Sequence, residues 1–194
     1  MTALAERPAM DPSHSIDVEK IRRDFPVLNE KIRDKKLAYF DNGATTQKPL
    51  TVIYAVQRFY TAENANIHRG VYWLSQRATQ TYEGARKKVQ RFINAASERE
   101  IIFTKSATEA INLVATSYGG FSLKAGDEII LSQLEHHANI VPWQLLRERI
   151  GIEIKVVQID ERGNFLLEEF EKLLCPRTRL VAVTHTSNAL GTIT

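Results

Sequence analysis

The chain has a single cysteine, Cys175, in 194 residues. That rules out a disulfide framework and any cysteine-rich zinc or iron–sulfur site built by this chain alone. Its solitude fits a reducing, cytoplasmic setting. No apolar run approaches the length of a membrane span, so no membrane partner is expected. The first fifteen residues are mixed polar, with Pro8 and Pro12, and lack the apolar stretch of a secretory signal. Neither a Walker A loop nor a G-x-G-x-x-G turn occurs, which removes the usual support for nucleotide or dinucleotide binding. Charge of one sign is also scarce: 26 Lys and Arg stand against 23 Asp and Glu, a net charge of +3. The densest basic cluster, Arg86-Lys87-Lys88 with Arg91, lies on a helical pattern and reads as a solvated face, not as a nucleic-acid stripe. There are no internal repeats and no low-complexity tracts.

What is present is ordinary globular material, 43% hydrophobic and 25% charged, enough for one sizeable domain. Residues 1–15 read as a disordered start. Residues 16–25 form an amphipathic helix with Asp17 as N-cap, stopped by Pro26. A charged turn at 31–36 leads to a strand at 37–40. Asn42-Gly43 then marks a loop, 41–49, that runs into a helix over 51–60. The polar stretch 61–74 is irregular. A long helix over 77–95 shows apolar residues at spacings of three and four. From there the rhythm becomes strand, loop, helix. Strands are expected at 101–104, 128–131, 152–159 and 180–184, and helices at 107–117, 139–150 and 166–174, with Gly151 closing the second of these. Alternating β and α segments predict an α/β fold, a mainly parallel sheet with flanking helices. The chain stops on a loop just after a strand, where the covering helix would come next. It therefore reads as the N-terminal part of something longer.

Three stretches carry chemistry, and each follows a strand. Thr104–Asn112, TKSATEAIN, opens a helix with small and hydroxyl residues, whose backbone N–H groups suit an anion. A plain N-cap is the bland alternative. Glu135-His136-His137 ends the next strand. Neighbouring imidazoles diverge and have no further ligand at metal spacing, so a metal site is not expected. A ring stacked on a flat ligand, or a cap on the following helix, remains. His185–Gly191, HTSNALG, offers the amide of Asn188, or simply a turn. In one parallel sheet these strand ends converge. A phosphate cradle, a stacking ring and an amide together describe a flat phosphorylated heteroaromatic cofactor.

At these residues the chain resembles the class V aminotransferases, and within them the Suf-type cysteine desulfurases and selenocysteine lyases. The stretches YFDNGATTQKP, NIHRGVYWLSQRAT, FTKSATEAINLVA, EIILSQLEHHANIVPWQLL and AVTHTSNALGT carry the resemblance, in order. It implies a PLP-dependent transferase of fold type I, here an incomplete large domain, with pyridoxal 5′-phosphate as cofactor. Ala107 and Thr108 match its phosphate-cradle positions, His136 its ring-stacking residue and Asn188 its cofactor amide. Ala44, His68 and Arg69 resemble loop residues on the substrate side. Residues 16–36 would belong to the small-domain side and 37–194 to the N-terminal part of the large domain. The family's Schiff-base lysine and persulfide cysteine fall in motifs downstream of Thr194, so no catalytic residue is assigned and this stretch alone is expected to be inactive. Cys175 matches neither motif and reads as structural.

The resemblance further implies a homodimer. Its reaction takes L-cysteine to L-alanine, passing sulfur through an enzyme persulfide to an acceptor protein for iron–sulfur cluster assembly. L-selenocysteine is the alternative substrate, with other class V chemistry behind it. A truncated, non-catalytic product with a partial phosphate pocket is the alternative of a different kind.

Overall fold

Asp17 caps the first helix, its side chain accepting from Lys20 N at 2.9 Å. The computed structural model describes residues 16–194; the start at 1–15, read above as disordered, lies outside the described residues. The chain divides into two units, one ending at Ile101 and the other spanning Ile102–Thr194.

In the first unit, α1 (Val18–Arg23) is followed by a 3-10 turn, Pro26–Asn29, and a minimal antiparallel hairpin, β1 (Lys31–Ile32) with β2 (Lys35–Lys36). Arg33 and Asp34 both have positive φ, which is the backbone that a two-residue hairpin turn demands. The strand expected at 37–40 does not form. Its first backbone groups are already engaged: Leu37 N donates to Glu30 O, and the Arg22 guanidinium donates to Leu37 O. Helix α2 (Leu50–Arg58) relaxes into a π-type turn, Phe59–Glu63. The long helix α3 (Trp73–Phe92) starts four residues earlier than its apolar spacing suggested.

The second unit is built on β3 (Glu128–Ser132), buried along its whole length. It pairs in parallel with β4 (Glu153–Val157) on one side and β5 (Thr178–Ala182) on the other. The register of β5 against β3 shifts between Glu128 and Ile129, and β5 lies two residues earlier than expected. The strand expected at 101–104 is absent among the described residues; apolar composition shows the tendency, but a ladder needs a neighbour. Helix α4 (Ala107–Val114) widens into a π-type turn, Ala115–Gly119, and a last helical turn, α5 (Gly120–Ser122). Helix α6 (Val141–Ile150) has Pro142 in its first turn, where the missing N–H costs nothing. Gly151 ends it at φ 77°, a conformation glycine adopts freely. Helix α7 (Leu167–Leu173) lies against β4.

Ile129 and Leu131 of β3 form the core with Ala115, Leu123, Trp143, Leu146 and Ile152, and Ile154, Leu180 and Ala182 close it from the neighbouring strands. Each such aliphatic contributes roughly 1.5–3 kcal/mol on burial. The opposite end of β3 is ionic. Glu128, 2% exposed, is held by Arg177 at 2.5 Å and accepts from the Cys175 thiol at 3.3 Å. Asp127 takes Lys124 N at 3.0 Å and Arg179 at 3.2 Å. The Arg177 hydrogen bond pulls the Glu128 pKa below its ordinary value, against the effect of burial. The Lys124 amide and then Arg179 do the same for Asp127. Cys175 thus sits at the amino ends of the strands, in a structural role.

Candidate functional site

The carboxyl ends of β3 and β5 lie side by side, so their following loops emerge at one end of the sheet. A polar network locks them together. The Glu135 carboxylate accepts from Ser132 Oγ at 2.5 Å, from Asn139 Nδ2 at 2.8 Å and from Thr184 N at 2.8 Å. Asn139 Nδ2 also donates to Ala182 O at 2.9 Å, and its Oδ1 accepts the Trp143 indole N–H at 3.0 Å. Two side chains on the β3 loop therefore hold the end of β5 and anchor the start of α6.

His136 follows Glu135 directly. Its Nδ1 accepts from Ala138 N at 3.1 Å, capping the 3-10 turn His137–Asn139. The capping and stacking readings are compatible, because a cap uses one edge nitrogen and leaves the ring faces. The ring is exposed, and the His137 ring meets it edge-on at 5.9 Å. His137, exposed as well, opens the short turn.

Helix α4 packs against this turn. Ser106 is its N-cap, accepting from Glu109 N at 3.2 Å, and Glu109 reaches back to Lys105 N at 2.5 Å. This is close to a capping box, shifted by one residue. Glu109 is therefore committed to the backbone before the helix. The first-turn N–H groups of Ala107 and Thr108 have no acceptor inside the helix, and both residues are exposed.

Asn188 sits at the tip of the loop after β5, also exposed. Buried Ser187 shapes that loop: its Oγ accepts from Leu190 N at 3.2 Å, and its N donates to Thr192 O at 2.8 Å. No other described residue hydrogen-bonds the Asn188 side chain. The elements bearing Ala107, Thr108, His136 and Asn188 thus all belong to the second unit.

Ala44, His68 and Arg69 belong to the first. Ala44 N closes a turn onto Asp41 O at 3.2 Å, steadied by the Tyr39 hydroxyl donating to Thr45 O at 2.6 Å. His68 has φ 68° and is tied to α3 through Thr79 and Glu83. Arg69 is exposed, and among the described residues its side chain has no ion-pair partner. The sequence places Glu135 beside His136 at a strand end and Asn139 at the start of the next helix, with no partner for either. Their partners, Thr184 N and Ala182 O, lie more than forty positions away, beyond any local signal. Glu83 was missed for the same reason.

A parallel α/β sheet with helix α4 packed against a strand-end loop is the arrangement in which open-sheet proteins bind their ligands. Residues 38–194 match the family Aminotransferase class-V, and the chain belongs to that family. It is 51% identical over 198 residues to probable cysteine desulfurase 1 of Mycobacterium leprae (strain TN), covering 100% of this chain and 32% of that protein. In structure it is similar to the apo cysteine desulfurase of Thermococcus onnurineus NA1, with TM-score 0.81 and 43% identity over 91% of this chain and 42% of that one. It is also similar to the cysteine desulfurase CsdA of Escherichia coli in an S-sulfonic acid form, with TM-score 0.75 and 35% identity over 92% of this chain and 44% of that one. The chain spans between about a third and less than half of the length of these relatives.

Among the described residues, no helix is long and apolar enough to cross a membrane, and no group of three or more His, Cys, Asp and Glu side chains is placed to hold a metal ion.

Proposed function

We propose that this chain is the cofactor-binding N-terminal part of a PLP-dependent cysteine desulfurase. The parent enzyme takes L-cysteine to L-alanine and passes the sulfur, by way of an enzyme persulfide, to an acceptor protein of iron–sulfur cluster assembly. It works in the cytoplasm as a homodimer. Residues 16–36 contribute to the small-domain side and 37–194 to the large domain. The observation that carries the reading is the end of the β3–β5 sheet, where α4 packs on the His137–Asn139 turn beside the loop bearing Asn188.

The residues there fit pyridoxal phosphate. The N–H groups of Ala107 and Thr108, with the Thr108 hydroxyl, hold the phosphate at the positive end of α4. The exposed His136 ring, oriented by the hydrogen bond from Ala138 N to its Nδ1, would hold the pyridine ring by stacking. The exposed Asn188 amide would supply a donor to the cofactor. Glu135 touches neither; it keeps the His136 and β5 loops in register. Held there, pyridoxal phosphate would supply an electron sink for the reaction. Ala44, His68 and Arg69 of the first unit are assigned to the substrate side of the parent enzyme.

Titration with pyridoxine 5′-phosphate, which cannot react with amines, tests the pocket by calorimetry. Removing one stacking ring costs about 1 kcal/mol, roughly fivefold in affinity. His136→Ala is expected to weaken binding by that factor and His137→Ala by less than about twofold. Equal losses would overturn the His136 assignment, and no binding by the unaltered chain would overturn the pocket. For the parent polypeptide, alanine release from L-cysteine against L-selenocysteine distinguishes the two substrates.

A further inference from the structure

We infer that His68 and Glu83 form a hydrogen-bonded dyad in which Glu83 is a positioning residue, fixing the imidazole as the Nε2–H tautomer and leaving Nδ1 as the acceptor offered to a ligand donor. The inference about use rests on the reading of His68 as a substrate-side residue; the dyad itself stands on its geometry.

His68 Nε2 lies 2.8 Å from Glu83 Oε1. An ionised carboxylate only accepts, so Nε2 must carry the hydrogen. The other Glu83 oxygen faces Arg86 Nε at 3.3 Å, an ion pair that holds the carboxylate in place. Tyr82 meets the imidazole edge-on, its ring centroid 5.8 Å away, and limits rotation about the ring axis. Among the described residues, no group hydrogen-bonds His68 Nδ1.

The backbone is held as firmly as the ring. His68 has φ 68°, which is uncommon for a residue with a side chain and needs support. Thr79 supplies it, accepting His68 N at 2.9 Å while donating to Ser75 O at 2.8 Å. Ser75, fully buried, donates to Asn66 O at 2.6 Å, and a Cβ at Gly70 would overlap Ser75. Residues 66–70 are thus clamped onto the first turns of α3. Both hands of the clamp, Thr79 on the main chain and Glu83 on the ring, lie one helical turn apart on the same face. Such restraint is wasted on an idle surface loop. It serves a side chain whose free nitrogen must point one way, with an amino acid's ammonium or thiol hydrogen as the matching donor.

The test is a ring-nitrogen correlation spectrum of the 15N-labelled chain at a pH where the imidazoles are neutral. A hydrogen bond to a charged acceptor, about 1.5–3 kcal/mol, favours one tautomer by roughly tenfold or more. His68 should therefore show a protonated Nε2, with a downfield, exchange-protected ring proton, and a bare Nδ1. In Glu83→Gln, whose amide oxygen accepts more weakly than a carboxylate, that proton should exchange faster and shift upfield, while the His68 amide stays protected through Thr79. Thr79→Ser, which keeps the hydroxyl, should leave the ring signals unchanged and so separates loss of the dyad from loss of the fold. A protonated Nδ1 in the unaltered chain, or an unchanged ring proton in Glu83→Gln, would overturn the inference. The pyridoxine phosphate titration fails or succeeds independently: binding without the tautomer preference rejects the dyad alone, and the preference without binding rejects the cofactor pocket alone.

Discussion

His68 and His136 present opposite atoms to their surroundings although a neutral ring in each carries its proton on Nε2. In His136 the backbone occupies Nδ1, so the ring offers its faces and one N–H. In His68 a carboxylate occupies Nε2, so the ring offers a lone pair. Residue type alone does not separate the two roles; the partner does. The same holds for acids. Glu109 and Glu135 serve the backbone, whereas Glu128 and Asp127 meet arginines at the other end of β3. Those last two give a pH prediction. Their folded pKa values lie below the ordinary 4.5 and 3.8, so the unfolded chain binds protons first as pH falls. Their stabilisation is complete above those ordinary values and is lost as pH drops through the lowered folded ones. Denaturant midpoints measured between pH 7 and pH 2 should stay level until about pH 5 and then decline. Glu128→Gln should flatten part of that acid limb. An unchanged limb would remove Glu128 as its source.

At the scale of elements, β3 with its loop was the most legible stretch. Its β-branched run, the polar turn and Gly151 after α6 each follow a local rule, and each formed within a residue or two of expectation. The strands expected at 37–40 and 101–104 did not form, because a strand is settled by a neighbour that local sequence does not name. β5 shifted by two residues for a related reason: Thr184 N, read as part of the strand, is spent on Glu135 instead. The candidate site was legible as three strand-end stretches and illegible as a network, since its ties cross from one loop to another. Asn139 makes one of those ties, to Ala182 O, and Glu135 the other. Asn139→Ala strips partners from Ala182 O, Glu135 and the indole of Trp143, and leaving such groups unsatisfied costs about 1–3 kcal/mol. Circular dichroism melting should show that loss, and hydrogen exchange should speed at Thr184 more than at Ile129. Uniform acceleration would mean that Asn139 does not link β3 to β5.

For the whole molecule, the described residues leave large apolar side chains in water. Phe40, Val71, Phe92 and Phe121 are each more than 90% exposed. β4 and β5 each have one edge without a ladder partner among the described residues. Open edges and bulky exposed apolar groups promote association. Sedimentation velocity across a hundredfold concentration range should show mass increasing with concentration; a monomer throughout would mean that these surfaces are inert. The long-range order within each unit is nonetheless specific, and the two tryptophans divide between the units. Trp73 of α3 is 66% exposed, with Arg77 over its ring at 5.5 Å. Trp143 of α6 is 2% exposed, its N–H held by Asn139. Emission from the first should therefore be red-shifted and open to collisional quenchers, and emission from the second blue and shielded. Light at two wavelengths from one sample separates melting of the clamped loop and α3 from melting of the sheet that carries the candidate pocket.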